Sequence, residues 1–278
     1  MLNEPRVFRH PPFQIILSIL VFVILGFVIL TSFDAETTPI LLPFGIIILL
    51  SAIYSLYTMT GKTIISDSEI SVQNILETKS LGWSEISRVT GRGHGIKLHN
   101  FDGDVTVSPS AQLPGYEKVV EWIGMKRSDL FEPQENEEMR RNWLTILLMG
   151  IILVLIIAFG SLTVIQSGQW FLAIFFVFVG AVLMAVIASS PQSITLEGRS
   201  LLVKYMFSQQ SLREREIQSV ELRSQRTRNG KSYHIRLNLL DGKGLRISGL
   251  GPSLPIVYLK LKNWHKKHNF RVQNRDIV

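Results

Sequence analysis

The chain has 278 residues, of which 46% are hydrophobic and 18% are charged; its formal net charge is +7 and its mean hydropathy is +0.25. This composition excludes a wholly disordered chain, because too much apolar surface would stay in contact with water. The absence of cysteine excludes a disulfide scaffold, thiol-ligated zinc or iron–sulfur sites and a cysteine nucleophile.

The apolar residues are concentrated in four segments that carry no charged side chain. They are Pro12–Thr31, a stretch within Thr37–Gly61, and two stretches between Asn142 and Leu196 that are separated by Gln166–Gln169. Each has the roughly 20 residues that a helix needs to cross a hydrocarbon core of about 30 Å. The sequence therefore predicts four transmembrane helices arranged as two hairpins.

The first apolar segment is interpreted as a retained anchor rather than a signal peptide. Its apolar core is longer than the roughly 15 residues typical of a signal peptide, and no small-residue cleavage site follows it. The short loops inside the two hairpins hold no lysine or arginine, whereas the remaining segments hold all 29. By the positive-inside rule, we expect a multi-pass protein of the plasma membrane with both termini and the central segment in the cytoplasm.

The predicted organisation follows from these segments. It is a cytoplasmic N-terminus over 1–11, a transmembrane hairpin over 12–61, a polar domain over 62–132, a linker over 133–141, a second hairpin over 142–189 and a second polar domain over 190–278. The linker is rich in glutamate, and its acidic side chains are interpreted as solvated.

The two polar domains match each other in sequence. SLGWSEISRV, which begins at Ser80, aligns without a gap with SLREREIQSV, which begins at Ser211. IKLHNFDG from Ile96 aligns with IRLNLLDG from Ile235, and the offset has grown from 131 to 139 residues. Matches in this order predict an internal duplication in which the second copy has eight additional residues.

Each copy contains runs typical of short antiparallel strands, followed by one amphipathic helix, Leu113–Met125 in the first copy and Leu254–His268 in the second. Type I′ hairpin turns, which require positive φ, are predicted at Asp102-Gly103, Asn229-Gly230 and Asp241-Gly242. In each copy a helical tryptophan, Trp122 or Trp264, is predicted to close the apolar side of the sheet.

This order of features resembles a known family. An apolar helix pair followed by TIISDSEISVQN, SLGWSEISRV, IKLHNFDGD and a terminal helix is similar to the bacterial pleckstrin-homology-like (PH-like) membrane domains, here in two tandem copies. The resemblance implies a membrane α+β fold, with a seven-stranded bent antiparallel sheet and a C-terminal capping helix after each hairpin. The second copy departs from the pattern at Glu214, where the first has Trp83. The resemblance does not imply a shared activity or phosphoinositide binding.

The residues favour no catalytic or metal site. His265 and His268 are three residues apart, but lysines separate them and no third ligand is near in sequence. The apolar segments hold no ionisable side chain, which argues against a coupled transporter or an intramembrane protease. We therefore predict that the chain is not an enzyme and binds no metal or cofactor.

Charge differs sharply between the two copies. Lys62–Arg141 has a net charge of −3, whereas the chain from Glu197 onwards has +11. Anionic lipids attract basic side chains near a membrane surface at about 1 kcal/mol each. We predict that the second copy contacts anionic lipid headgroups or an acidic partner through Arg223, Arg226, Arg228, Lys231, Arg236, Lys260, Lys266 and Lys267. A basic surface that only follows the positive-inside bias is the alternative.

The expected function is that of an integral membrane binding or scaffold protein with two cytoplasmic PH-like domains. The expected partners are membrane lipids and an integral membrane protein; homo-oligomerisation is left open. Nucleic acid is not expected, because the basic residues lack interleaved aromatic side chains. The alternative function is that of an assembly factor or accessory subunit of a larger membrane complex, and an enzyme is the third option.

Overall fold

A computed structural model describes residues 4–31, 38–141, 143–168, 170–227, 230–251 and 253–273. The fold is α+β with several antiparallel sheets. The chain divides into two compact units. Unit 1 comprises Met1–Val89 and Gly95–Lys126, and unit 2 comprises Thr90–His94 and Arg127–Val278. The six segment boundaries proposed from the sequence remain predictions.

The described residues form six α-helices and three short 3-10 helices. The α-helices are α1 (Pro12–Thr31), α2 (Thr38–Thr60), α3 (Tyr116–Lys126), α4 (Trp143–Ser167), α5 (Trp170–Ser189) and α6 (Leu254–Gln273). The strands of unit 1 are β1 (Arg6–Arg9), β2 (Lys62–Ile65), β3 (Glu69–Gln73), β4 (Thr78–Gly82), β5 (Arg88–Thr90, except its last residue), β6 (Lys97–His99) and β7 (Thr106–Val107). Those of unit 2 are β8 (Glu138–Arg140), β9 (Ser193–Glu197), β10 (Ser200–Lys204), β11 (Gln209–Arg213), β12 (Ile217–Thr227), β13 (Gly230–Leu239) and β14 (Gly244–Ile247).

The prediction of four transmembrane helices in two hairpins is wrong. Within the described part of the chain, only Pro12–Ile29 in α1 is long enough and apolar enough to cross a membrane. The apolar stretches described in α2, α4 and α5 are Gly45–Thr60, Gly150–Leu162 and Ile174–Ser189, each of 10–17 residues. They are shorter than the roughly 20 residues that a hydrocarbon core requires, so a multi-pass topology is not supported. By length, composition and position, α1 fits either a membrane span or a signal sequence.

Unit 1 contains a four-stranded and a three-stranded antiparallel sheet. The first has the order β1-β2-β3-β4 and the second the order β5-β6-β7. Alternate residues of the strands point inward, so Ile65, Ile70 and Leu98 are fully buried. Helix α3 adds the buried side chains of its apolar stripe, among them Val119 and Ile123.

Unit 2 has the corresponding sheets, in the orders β11-β10-β9-β8 and β12-β13-β14. Helix α6 lies against β12 and β13. Its Trp264 is 3% exposed, and the indole nitrogen donates a hydrogen bond to the carbonyl oxygen of Gly198 at 2.9 Å. Trp264 is therefore buried, as the prediction requires, and contacts the turn between β9 and β10. Trp122 of α3 differs, because it is only half-buried and carries the Arg6 guanidinium 4.8 Å above its ring.

Strands β1 and β8 precede the two apolar helix pairs, in segments predicted as an N-terminal tail and a linker. Phe8 of β1 pairs with Thr63, and Met139 of β8 pairs with Ile194. Both positions of the second pair lie 131 residues after those of the first. The continuous register shows that each four-stranded sheet begins before its helix pair. Strands of four and three residues are too short to show a clear alternation, which is why the sequence does not predict them.

The positive φ predicted for the glycines of two hairpin turns is confirmed, at 80° for both Gly103 and Gly242. The turn type is different, because type I′ requires positive φ at two residues. Neither Asp102 nor Asp241 is among the described residues with positive φ. The third predicted turn, at Asn229-Gly230, involves Asn229, which lies outside the described residues.

Candidate anion-binding face of unit 2

The structure separates the basic residues predicted to bind lipid into two groups. Arg223, Arg226, Lys231 and Arg236 lie on the hairpin of β12 and β13, whereas Lys260, Lys266 and Lys267 lie on α6. Arg228 lies outside the described residues. The two groups therefore belong to different elements of unit 2.

Alternation along β12 and β13 gives their sheet one apolar and one polar face. Val220 and Leu222 are buried, while Arg223 between successive inward positions is exposed. On the neighbouring strand Ile235 and Leu237 are buried around Arg236. Helix α6 covers the apolar face, so the polar face stays accessible.

We name this polar surface the arginine face. It comprises Glu221, Arg223, Gln225, Ser232, His234, Arg236 and Arg246 from β12, β13 and β14. Glu221 pairs across the strands with Arg236, which in turn pairs with Arg246. Three guanidiniums and one carboxylate thus occupy neighbouring positions, and the face is cationic.

Hydrogen bonds hold two of the three arginines in place. The Nε atom of Arg223 donates to Glu221 Oε2 at 2.7 Å, and an Nη atom of Arg246 donates to Gln225 Oε1 at 3.0 Å. The third, Arg236, lies over Gly244, where an added Cβ would be 3.1 Å from its Nε atom. Glycine at 244 therefore leaves the space in which this guanidinium lies.

His234 lies among the three arginines, directly opposite Arg223 on the adjacent strand. Burial lowers the pKa of His234 below the ordinary value of 6.5, and the charges of Arg246, Arg223 and Arg236 lower it further. Its Nδ1 atom is buried and has no hydrogen-bond partner within the described part of the chain. A neutral imidazole and three positive charges form a surface that favours an anion with oxygen atoms.

Arg226 and Lys231 do not belong to the arginine face. They form a cross-strand pair next to Thr227 and Gly230, at the end where the chain passes from β12 to β13. Their positions alternate with Gln225 and Ser232, so they point to the other side of the sheet. The hairpin residues that were predicted to bind lipid therefore lie on both faces of the sheet.

Two lysines of α6 are used in ion pairs within unit 2, contrary to the expectation of a free basic helix. Lys260 pairs with Glu137, and both side chains are about one-fifth exposed, at 20% and 22%. Lys267 pairs with Glu132 at 2.8 Å on the surface. Lys266 is exposed. The acidic segment before α4, interpreted as solvated, therefore neutralises part of the charge of α6.

Sequence reasoning missed five of the seven members of the arginine face, among them His234 and Arg246. Both alternate with apolar neighbours, as in Tyr233-His234-Ile235 and Leu245-Arg246-Ile247. This period of two indicates an outward position on a strand. Sequence spacing alone does not show that β14 pairs with β13 in the register that brings the two together.

Among the residues that the structure describes, no group of three histidine, aspartate or glutamate side chains is arranged to hold a metal ion. Comparison with models of protein families gave no match, and comparison with curated proteins gave none either. The arrangement of the side chains is therefore the basis on which a function is proposed.

Proposed function

We propose that this chain is a membrane-attached binding protein whose arginine face contacts anionic lipid headgroups. The observation that carries the proposal is the placement of three arginines on adjacent strands, with a single carboxylate among them. Guanidinium groups form strong, charge-assisted hydrogen bonds to phosphate oxygens. The proposal assigns no catalytic residue, metal or cofactor to the chain.

Helix α1 is the proposed site of membrane attachment. Strand β1 lies directly before α1 and pairs with β2. Removal of α1 as part of a signal peptide would also remove this edge strand, which supports a retained anchor. The pairing of β1 with β2 keeps both ends of the α1–α2 segment on one side of the membrane, and Arg6, Arg9 and Lys62 at these ends favour the cytoplasmic side of the plasma membrane.

We also propose that each of the two units is a PH-like domain. Each has four strands in one antiparallel sheet, three in another and a helix after the last strand. This arrangement agrees with the seven strands and the terminal helix that the resemblance implies for each copy. Scaffolding of an integral membrane partner remains a further proposal of the same kind.

The proposal is tested with the full chain in lipid nanodiscs. Ser232 lies on the arginine face, and the chain has no native cysteine, so Ser232→Cys accepts a single polarity-sensitive dye. We expect a blue shift in discs of phosphatidylcholine with phosphatidylglycerol, but not in phosphatidylcholine alone. High salt should reverse it, since screening weakens the attraction between exposed charges.

Two triple variants decide whether the arginine face is responsible. R223Q/R236Q/R246Q should abolish the blue shift, since each arginine near the surface contributes about 1 kcal/mol. R199Q/R213Q/R215Q removes the same charge from exposed positions of unit 2 outside the face and should retain the shift. Equal dye spectra in neutral and anionic discs, or equal loss in both variants, would refute the proposal. Displacement of the shift by an acidic protein would instead identify a protein ligand.

A further inference from the structure

The turn between β3 and β4 of unit 1 exposes two large apolar side chains. Ile75 and Leu76, which we name the apolar tip, are 69% and 81% exposed. They lie between Asn74 and Glu77, and the N–H of Asn74 donates a hydrogen bond of 2.8 Å to the carbonyl oxygen of Glu77. Tight turns are usually built from glycine, proline, asparagine, aspartate and serine. The formation of the turn therefore does not require isoleucine and leucine at these two positions.

The second copy repeats this feature in the turn between β10 and β11. At the offset of 131 residues, Met206 and Phe207 take the positions of the apolar tip, and both are exposed. Their turn is closed in the same way, by a hydrogen bond of 2.8 Å from the N–H of Tyr205 to the carbonyl oxygen of Ser208. The two turns differ at each of these four positions, so the property they share is the exposed apolar pair. Apolar surface of this kind is typical of a contact with a membrane or a partner.

The strand register places the apolar tip at the end of the sheet where α1 begins. Strands β1 and β3 are both antiparallel to β2, so they run in the same direction. Arg9 at the end of β1 pairs with Lys62, which also pairs with Gln73 at the end of β3. Two strand spacings separate these strand ends by about 10 Å. The chain therefore leaves β1 towards α1 and leaves β3 towards the apolar tip at the same end of the sheet.

Packing holds the turn beside the last turn of α2. The Nδ2 atom of Asn74 donates a hydrogen bond to the Tyr57 hydroxyl at 3.1 Å. A Cβ atom on Gly61, between α2 and β2, would be 2.6 Å from Oδ1 of Asn74. Glycine at 61 thus allows the turn to approach the point where α2 ends. The apolar tip is fixed next to the helices rather than directed away from them.

The charges at this end of the sheet are compatible with a membrane surface. Arg9 and Lys62 carry positive charge at the ends of the strands next to the tip. Glu77 is the acidic residue of the turn, and its carboxylate pairs with Lys79 at 3.1 Å. Its repulsion from anionic headgroups is therefore offset by a neighbouring ammonium group.

We propose that the apolar tip inserts into the boundary between headgroups and acyl chains of the membrane that holds α1. The proposal rests on the attachment through α1 proposed above. That boundary accepts apolar side chains to a depth of about 5–10 Å, and the tip lies close to the start of the membrane helix. Removal of Ile75 and Leu76 from water favours insertion. Together, α1 and the tip hold the four-stranded sheet with this end towards the lipid.

The test uses the full chain in nanodiscs of phosphatidylcholine alone. Because the chain has no native cysteine, Leu76→Cys accepts a single nitroxide label. Oxygen concentrates in the bilayer and a neutral nickel chelate stays in water, so the ratio of their collision rates with the nitroxide measures insertion. Ser68→Cys is the matched control, because Ser68 is exposed in the β2–β3 turn at the opposite end of the same sheet, about 20 Å away. We expect a higher oxygen-to-nickel ratio at position 76 than at position 68. High salt should not change it, since the contact is apolar.

A second substitution in the Leu76→Cys chain tests whether the apolar tip drives insertion. Ile75→Asp should lower the ratio at position 76 to that at position 68, because a carboxylate disfavours the apolar boundary. Aspartate suits a turn, so the hairpin should still fold. Phe101→Asp is the matched control, because it introduces the same charge at another exposed apolar residue of unit 1, between β6 and β7. It should leave the ratio at position 76 unchanged.

The outcomes separate this proposal from the attachment on which it rests. A chain that does not co-elute with the discs would overturn both. Co-elution with equal ratios at positions 76 and 68 would overturn the insertion of the tip alone. An equal fall of the ratio in Ile75→Asp and Phe101→Asp would also overturn it. Low collision rates with both reagents at position 76 would do the same, because they indicate a contact with protein, such as a second copy of the chain.

Discussion

At the scale of single residues, the two units make the same kind of tryptophan hydrogen bond from different elements. Glu214 is 2% exposed and occupies the position of Trp83, and neither of its carboxyl oxygens has a hydrogen-bond partner among the described residues. In unit 1 the indole of Trp83 donates to the Ser66 carbonyl at 3.1 Å. In unit 2 Trp264 makes the comparable bond, to Gly198. The bond to the turn between the two strands is thus kept although its tryptophan comes from another element.

His234 yields a prediction about pH. Arg246 is the largest of the charged causes that lower the pKa of this imidazole. Arg246→Gln removes one positive charge, so we expect the pKa of His234 to rise. An NMR titration of the imidazole proton signals measures the change. Arg213→Gln, which removes an exposed arginine outside the arginine face, should leave it unchanged, and an equal rise in both variants would contradict the electrostatic explanation.

The lowered pKa of His234 also sets the direction in which pH affects stability. The unfolded chain takes up the proton near pH 6.5, whereas the folded chain does so only at lower pH. Above that pH the imidazole is uncharged in both states, so its ionisation does not change the free energy of unfolding. As pH falls below about 6.5, protonation favours the unfolded state until the folded pKa is reached. Because Arg246→Gln raises the folded pKa, it should reduce this acid-induced loss of stability.

At the scale of elements, the ion pair of Lys260 and Glu137 joins α6 to the segment before β8. Lys260→Gln should lower the free energy of unfolding by about 1–2 kcal/mol, because it leaves a half-buried carboxylate without its charged donor. Urea unfolding of the full chain, followed by tryptophan fluorescence, measures the loss. Lys243→Gln breaks an exposed pair within a turn, with Lys243 82% exposed, and should change stability by less than about 0.5 kcal/mol. Equal losses of unfolding free energy in the two variants would show that the Lys260–Glu137 pair stabilises the protein no more than an exposed pair does.

The elements also differ in how far the sequence predicts them. The two amphipathic helices are expected within a few residues of their observed bounds, because a period of 3.6 over three turns or more is a strong signal. Strand β4 is missed, since Thr-Lys-Ser-Leu-Gly has only one large apolar residue. Of the seven residues of the arginine face, charge alone predicts two, Arg223 and Arg236. Its remaining members depend on strand register.

At the scale of the whole molecule, α1 provides a test of membrane attachment. Leu20 is 53% exposed on this helix, and Leu20→Arg should disfavour insertion by about 3 kcal/mol. The fraction of chain that stays in the membrane pellet after a carbonate wash should fall. Leu240→Arg is the control, because Leu240 is 68% exposed between β13 and β14 and carries the same change outside the apolar helices.

Two results would contradict attachment through α1. One is equal retention of the parent chain and Leu20→Arg in the pellet. The other is a mature chain whose N-terminal sequence begins after α1, as a cleaved signal sequence would produce. The second result would also leave β2 without its β1 neighbour.

The sequence by itself determined the mixed composition of the molecule, the positions of its apolar segments, the matched pair of polar segments and the concentration of basic charge in the second. These properties are local or additive, so the order and composition of the residues are sufficient to predict them. Only the tertiary structure decided which charges are neutralised within unit 2, which arginines share a face and where the β3–β4 turn lies. Those properties depend on pairing between residues far apart in the chain, because register and packing place side chains together that spacing does not relate.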